Sequence, residues 1–248
     1  MTSPIPKRVR TGIAFAAILA VCAPLTAHAA DISTDDDAAS LMIATADFNG
    51  DGIADTATVA FAGGESRLTI ALGRADGSMQ KMPSQKLSGE RLRSLVTGDF
   101  DHDGKPDLVI ADADGTVSLL LGDGAGGIRD TREVARLDSA ISVTSADFDR
   151  DGKLDLAISD WRASSITVFL GTGAGRFRQA WSFPMRMRGT TPQLSAADYN
   201  GDGIPDLAVI YGDDDQYTYD VMLGNGQGTF TSSPELSTAV DANAHCPT

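Results

Sequence analysis

One nine-residue acidic segment occurs four times in this chain, and it constrains the fold more than any other feature. The copies are DFNGDGIAD from Asp47 to Asp55, DFDHDGKPD from Asp99 to Asp107, DFDRDGKLD from Asp147 to Asp155 and DYNGDGIPD from Asp198 to Asp206, with starts 52, 48 and 51 residues apart. A second motif follows each at a similar offset: ALGRADGSM from Ala71, LGDGAGGI from Leu121, LGTGAGRF from Leu170 and LGNGQGTF from Leu223. Linked motifs at a fixed period are the signature of a repeat architecture. Carboxylates this crowded repel by roughly 1–4 kcal/mol per pair, depending on the local dielectric. Something must offset that repulsion in every copy.

Each repeat reads as β-structure. In the third copy, Ile141 to Ala146 leads into the acidic loop, and Leu156 to Ser159, Ile166 to Leu170 and Phe177 to Phe183 follow as short runs between turn signals. No sustained 3.6-residue apolar period appears after the N-terminal segment, which argues against helices. Four strands per unit of this length predict an all-β, propeller-type array of four four-stranded blades. The expected repeats are 40–90, 91–138, 139–188 and 189–233, with a lead-in at 30–39 and a disordered tail at 234–248. Three closures are open: a small closed ring, an open arc, or a half-ring completed by self-association.

Residues 1–29 have the three parts of a secretory signal. Lys7, Arg8 and Arg10 precede the uncharged run Gly12 to Leu25, and Ala27-His28-Ala29 forms an A-x-A cleavage site. The run of 14 residues is short of the roughly 20 that a membrane span needs. The expected chain is therefore exported to the periplasm, the cell surface or the medium, with no membrane span after cleavage. Cleavage removes three cations and no acid, leaving 34 acidic and 17 basic side chains, a formal charge of −17. Such a chain lacks the basic footprint that nucleic acid or an anionic membrane requires, and it favours bound cations. Cys22 leaves with the signal and Cys246 stands alone, so no internal disulfide staples the exported domain.

The acidic segment has the chemistry of a hard-cation loop. Counting its first Asp as position 1, side-chain oxygens fall at positions 1, 3, 5 and 9, and glycine falls at position 6. Ca²⁺ takes six to eight oxygens from carboxylates, amides, backbone carbonyls and water. The position-6 glycines (Gly52, Gly104, Gly152 and Gly203) permit a backbone turn that a side chain would hinder. The aromatic at position 2 (Phe48, Phe100, Phe148, Tyr199) is expected to point into the core. An EF-hand needs a carboxylate at position 12 and flanking helices; here position 12 is Thr58, Ile110, Ile158 and Val209, between strands. After cleavage the histidines are His102 and His245 and the one cysteine is Cys246, too few for transition-metal chemistry.

The paired signatures resemble the FG-GAP (VCBS-type) repeats of integrin α-subunit propellers and many bacterial surface proteins. The resemblance spans about Ser40 to Phe230. It implies a β-propeller with up to four Ca²⁺, one in the hairpin between strands 1 and 2 of each blade. The implied ligands are Asp47, Asn49, Asp51, Ile53 and Asp55; Asp99, Asp101, Asp103, Lys105 and Asp107; Asp147, Asp149, Asp151, Lys153 and Asp155; and Asp198, Asn200, Asp202, Ile204 and Asp206. Ile53, Lys105, Lys153 and Ile204 serve through their backbone carbonyls. The first copy departs most, since LGRADGSM lacks the usual glycine run and Phe. The chain also has four repeats, where such propellers usually have about seven.

Three functions follow. No zinc-protease helix, G-x-S-x-G elbow or phosphate loop is present, and His102 lies between presumed cation ligands. Fourteen of the 34 acids belong to the four loops. A carboxylate pair for glycoside or polysaccharide cleavage leaves no local signature, and it is the weakest reading. The favoured reading is a Ca²⁺-stabilised module that binds a protein or a surface. The alternative is a lectin-like module that binds carbohydrate. Strand 1–2 and 3–4 turns share one end of a blade, so the ligand face is expected at the other, where Trp161, Arg162, Arg186, Arg188, Tyr211 and Tyr217 supply residue types enriched at binding hot spots.

Overall fold

A computed structural model describes residues 41–62, 64–88, 92–185, 192–212 and 216–241. The signal-like segment, the lead-in, Arg186, Arg188, the Tyr217 side chain and Cys246 lie outside the described residues or side chains. The described chain is all β, in four antiparallel sheets that follow the repeats. The first sheet comprises β1 (Leu41–Ala46), β2 (Asp55–Ala62), β3 (Glu65–Gly73), β4 (Met79–Lys81) and β5 (Gln85–Leu87). The second has β6 (Leu92–Gly98), β7 (Asp107–Asp112), β8 (Thr116–Gly122) and β9 (Ile128–Arg136). In the third are β10 (Ala140–Ala146), β11 (Asp155–Asp160), β12 (Ser165–Gly173) and β13 (Arg176–Pro184). The fourth is built from β14 (Gln193–Ala197), β15 (Asp206–Gly212), β16 (Gln216–Gly224), β17 (Phe230–Ser232) and β18 (Thr238–Asp241).

Each sheet is a meander, as a blade requires. In the first and fourth the outermost strand is split: β4 and β5 both pair with β3, and β17 and β18 both pair with β16. The fourth repeat therefore extends to Asp241, past the boundary expected at 233, because Thr238 to Asp241 finds the free edge of β16.

The sheets stack in chain order through three apolar clusters. Val59, Leu68 and Ile70 meet Leu108, Ile110 and Leu120 between the first and second blades. Val109, Leu119 and Leu121 meet Leu156, Ile158 and Phe169 between the second and third. Ile166, Val168 and Leu170 meet Leu207, Val209 and Met222 between the third and fourth. Blades two and three have neighbours on both sides, so every residue of β7 (DLVIAD) and β11 (DLAISD) is buried. β1 instead alternates exposed and half-buried positions.

The inner strands β1, β6, β10 and β14 touch in that order, and the sheets are not closed into a ring. Among the described residues no core cluster joins the fourth blade to the first. Of the three closures, the small ring closed within one chain is not what the structure has. Side-chain chemistry gives the reason. At the three positions where later blades present Leu108, Ile110 and Leu120, or Leu207, Val209 and Met222, the first presents Thr56, Thr58 and Ala71. A blade seated there would bury two hydroxyls and lose the roughly 1.5–3 kcal/mol that each large apolar side chain contributes. A polar outer face is what the end of a repeat array needs.

Candidate metal centre

The acidic loop is the β1–β2 hairpin turn and its counterparts, and its own carboxylates hold it in shape. At position 1, Asp47 Oδ2 accepts the Gly52 N–H (2.7 Å) and Asp47 Oδ1 accepts those of Gly50 (2.8 Å) and Asp51 (3.1 Å). Position 5 repeats the device, with Asp51 Oδ1 accepting the Ile53 N–H (2.8 Å). The same bonds from positions 5, 6 and 7 recur in the other three loops, at 2.8–3.1 Å. The expected glycine turn is present, with φ of 81° to 85° at all four position-6 glycines.

A second left-handed position was not legible from glycine alone. Position 4 is Gly50 and Gly201 in two loops, but His102 (φ 66°) and Arg150 (φ 62°) adopt the same conformation in the others. Holding a side chain there costs about 1–2 kcal/mol.

Curling the loop in this way brings positions 1, 3 and 5 together. Asp99, Asp101 and Asp103 each place a carboxylate oxygen within 4.8 Å of the others, as do Asp147, Asp149 and Asp151. In the first and fourth loops Asn49 and Asn200 stand at position 3, and their Nδ2 atoms donate to Asp51 and Asp202 Oδ2 (2.9 Å in both). Asp101 Oδ1 is buried with no hydrogen-bond partner. An orphaned buried carboxylate oxygen beside two more carboxylates, in an all-oxygen donor set, fits a hard cation such as Ca²⁺.

Position 9 has a different setting from the other three. Asp55, Asp107, Asp155 and Asp206 are fully buried. Each accepts the position-2 N–H through Oδ2 (2.7–2.9 Å) and the N–H of the second motif's first glycine through Oδ1 (2.7–2.8 Å). One carboxylate thus ties the acidic hairpin to the end of the third strand. Glycine is required at that contact. A Cβ on Gly122, Gly171 or Gly224 would lie 2.2–2.3 Å from the position-8 carbonyl oxygen. The two sequence motifs are two halves of one junction.

The second motif also reaches the preceding blade. Gly126 N–H donates to the Phe48 carbonyl (3.1 Å), Ala174 N–H to that of Asp101 (3.3 Å) and Gly228 N–H to that of Phe148 (3.0 Å). Position-2 aromatics join this seam: Phe148 meets Phe230 edge-on at 5.3 Å, and Phe100 meets Phe177 at 6.1 Å. LGRADGSM, which diverges from the other three, makes no such bond to another blade among the described residues, and its turn closes on itself through Gly77 N–H to the Arg74 carbonyl (2.8 Å). Tyr199, with no later blade over it among the described residues, is only half-buried, whereas Phe48, Phe100 and Phe148 are buried as expected.

Burial pushes the Asp107 and Asp155 carboxyls up to about 6, against the pull of their backbone donors, and it raises Asp206 as well. N–H donation, first from Gly52 and Gly203, holds Asp47 and Asp198 below the usual carboxylate range. These shifts have opposite consequences. A carboxyl with a folded value near 6 and an unfolded value near 4 binds protons preferentially in the folded state between those limits. In metal-depleted buffer the melting temperature is therefore expected to rise as pH falls from 7 to about 5. Below about 4 it should drop, as Asp47 and Asp198 lose their bonds. A steady fall from pH 7 to 5 would contradict the assignment.

Acidic hairpins and glycine turns share one end of every blade, so the β2–β3 type connections lie at the other. Trp161 is half-buried in one of these, and Arg162 beside it is exposed. Tyr211 is half-buried against the third blade and donates its hydroxyl to Asp220 Oδ2 (2.7 Å); burial and that carboxylate push it up to about 12. A cleft of about 270 Å³ opens beside it, walled by Phe183, Met185, Met222 and Asp220. Neither Trp161 nor Arg162 lines this cleft. Phe183 and Asp220 carry no repeat signal, so only the packing of β13 on β15 and β16 reveals them.

Four meander blades with cation-type loops at one end define a β-propeller-type repeat module. A sequence profile described as FG-GAP-like repeat matches residues 47–110, 99–158 and 147–209, and one described as FG-GAP repeat matches residues 190–231. The chain belongs to the FG-GAP repeat family. No curated protein sequence matches it. No helix among the described residues is long and apolar enough to cross a membrane.

Proposed function

We propose that this protein is an exported, Ca²⁺-binding FG-GAP module that mediates protein or surface interaction, with the ions stabilising the blades and recognition at the opposite end. The observation that carries this reading is the loop frame, repeated four times, which in the second and third loops gathers the carboxylates of positions 1, 3 and 5. In each loop those three side chains, the position-7 carbonyl and the remaining lone pairs of position 9 would hold the ion. What a bound ion supplies is neutralisation of carboxylates that otherwise repel. Equilibrium dialysis is expected to count up to four calcium ions per chain, and no bound calcium would overturn the metal reading.

The module is a binding protein rather than an enzyme. Export rests on the signal-like first 29 residues. A carbohydrate ligand is the second reading, favoured by the cleft that sets Phe183 beside the hydrogen-bonded Tyr211 and Asp220. Aromatic faces and paired polar groups suit sugar rings. A glycan array probed in calcium separates the two readings. The protein-binding reading expects silence, and a chelator-sensitive sugar signal would replace it with the lectin reading.

A further inference from the structure

The four loops share one backbone frame, but only the second has a guanidinium seated on two of its carboxylates among the described residues. Arg129, near the start of β9, donates Nε–H to the Gly122 carbonyl (2.8 Å) and reaches across its own blade to the second loop. There Nη2 donates to Asp101 Oδ2 and to Asp103 Oδ2, the latter at 3.1 Å. Gly122 is also the glycine that donates to Asp107 Oδ1 (2.8 Å), so the guanidinium is anchored on the junction that shapes the loop. We propose that Arg129 is a tethered cation that serves the second loop in place of a metal ion, making this loop the last of the four to take a divalent cation. The ordering rests on the calcium reading above.

The second loop needs a resident cation more than its counterparts do. Asp101 keeps only 9% of its side chain exposed. The turn of the third blade covers it: Ala174 donates to the Asp101 backbone carbonyl, and Arg132 Nη1 holds that turn through the Ala174 carbonyl (2.9 Å). A carboxylate so buried must be paired. Arg129 satisfies Oδ2, while Oδ1 stays without a partner. The guanidinium stands over two of the three converging carboxylates, so an incoming divalent ion must displace it or bind against its charge.

Among the described residues no other loop has this arrangement. The residues equivalent to Arg129 are Gln80, Arg178 and Thr231. Arg178 is exposed and makes no ion pair among the described residues. Lys153 reaches Asp151 in the third loop through a flexible side chain from inside the loop itself, as Lys105 reaches Asp103 (3.6 Å) in the second, so the guanidinium is what sets the second loop apart. In the first and fourth loops an Asn replaces the position-3 carboxylate, so one negative charge is absent.

Calcium titration by calorimetry on the full chain tests the ordering. The wild type is expected to show one site weaker than the rest by on the order of tenfold. Arg129→Gln should bring that site into line with the others, and Arg178→Gln should change nothing. Melting in metal-depleted buffer supplies the second readout. There Arg129→Gln should melt below the wild type, while Arg129→Lys, which keeps the charge, should recover part of the loss. In saturating calcium the variants should converge. Four equivalent sites in the wild type, or an Arg129→Gln protein that binds calcium no better, would overturn the proposal. If the wild type binds no calcium, the metal reading fails along with the ordering. The metal-free melting difference still decides whether Arg129 acts as the loop's cation.

Discussion

Asp155→Ala is expected to lower the unfolding free energy by about 2–6 kcal/mol, since it strips two buried N–H groups of their acceptor at roughly 1–3 kcal/mol each. The carboxylate is fully buried and accepts from Phe148 and Gly171, both at 2.7 Å. Both donors lie in the middle of the array, beneath the seam where Gly228 reaches Phe148. Asp155→Asn should cost about half as much by the same count, because its carbonyl still serves one donor and no buried charge remains. Asp206→Ala should cost less than Asp155→Ala, because its partner Tyr199 is half-exposed. Urea unfolding of the three variants checks the ranking. A loss under about 1 kcal/mol for Asp155→Ala would mean that the position-9 clamp is not what holds the blade together.

Calcium is expected to raise the melting temperature by about 10 °C or more over chelator at neutral pH. Each site saturated at a hundred times its dissociation constant adds about 2.7 kcal/mol to a state that binds only when folded. For an array of this size 1 kcal/mol moves the melting point by about 2–4 °C. Magnesium should do less, since it demands a near-octahedral shell and keeps its own water, whereas these loops offer a flexible set of oxygens. Differential scanning calorimetry in calcium, magnesium and chelator makes the comparison. A melting point indifferent to calcium would show that the Asx-type hydrogen bonds alone stabilise the loops.

The two effects divide the aspartates into separate jobs. Positions 1, 3 and 5 are exposed or half-buried, while position 9 is buried with each oxygen already on a backbone donor and only its remaining lone pairs left for an ion. From spacing alone all four positions look alike, because each is an Asp or Asn at the right interval. They differ in what stands opposite, and for position 9 that is the N–H of a glycine 15 to 18 residues away.

Local chemistry repeated in every copy was legible from the sequence by itself. The four-fold period, the strands of each repeat, the position-6 turn and the shared end of the acidic and glycine motifs all follow from residues close together in the chain. Such features are fixed by backbone geometry and by alternation of apolar side chains, both of which repeat with the motif. Only the tertiary structure decided what depends on neighbouring blades. It left the four sheets unclosed, with Thr56, Thr58 and Ala71 standing where later blades carry large apolar side chains. It also placed Arg129 on Asp101 and Asp103, a contact between residues 26 to 28 positions apart that no repeat encodes. Contacts between blades depend on which copy sits beside which, and a period in the sequence is silent about that.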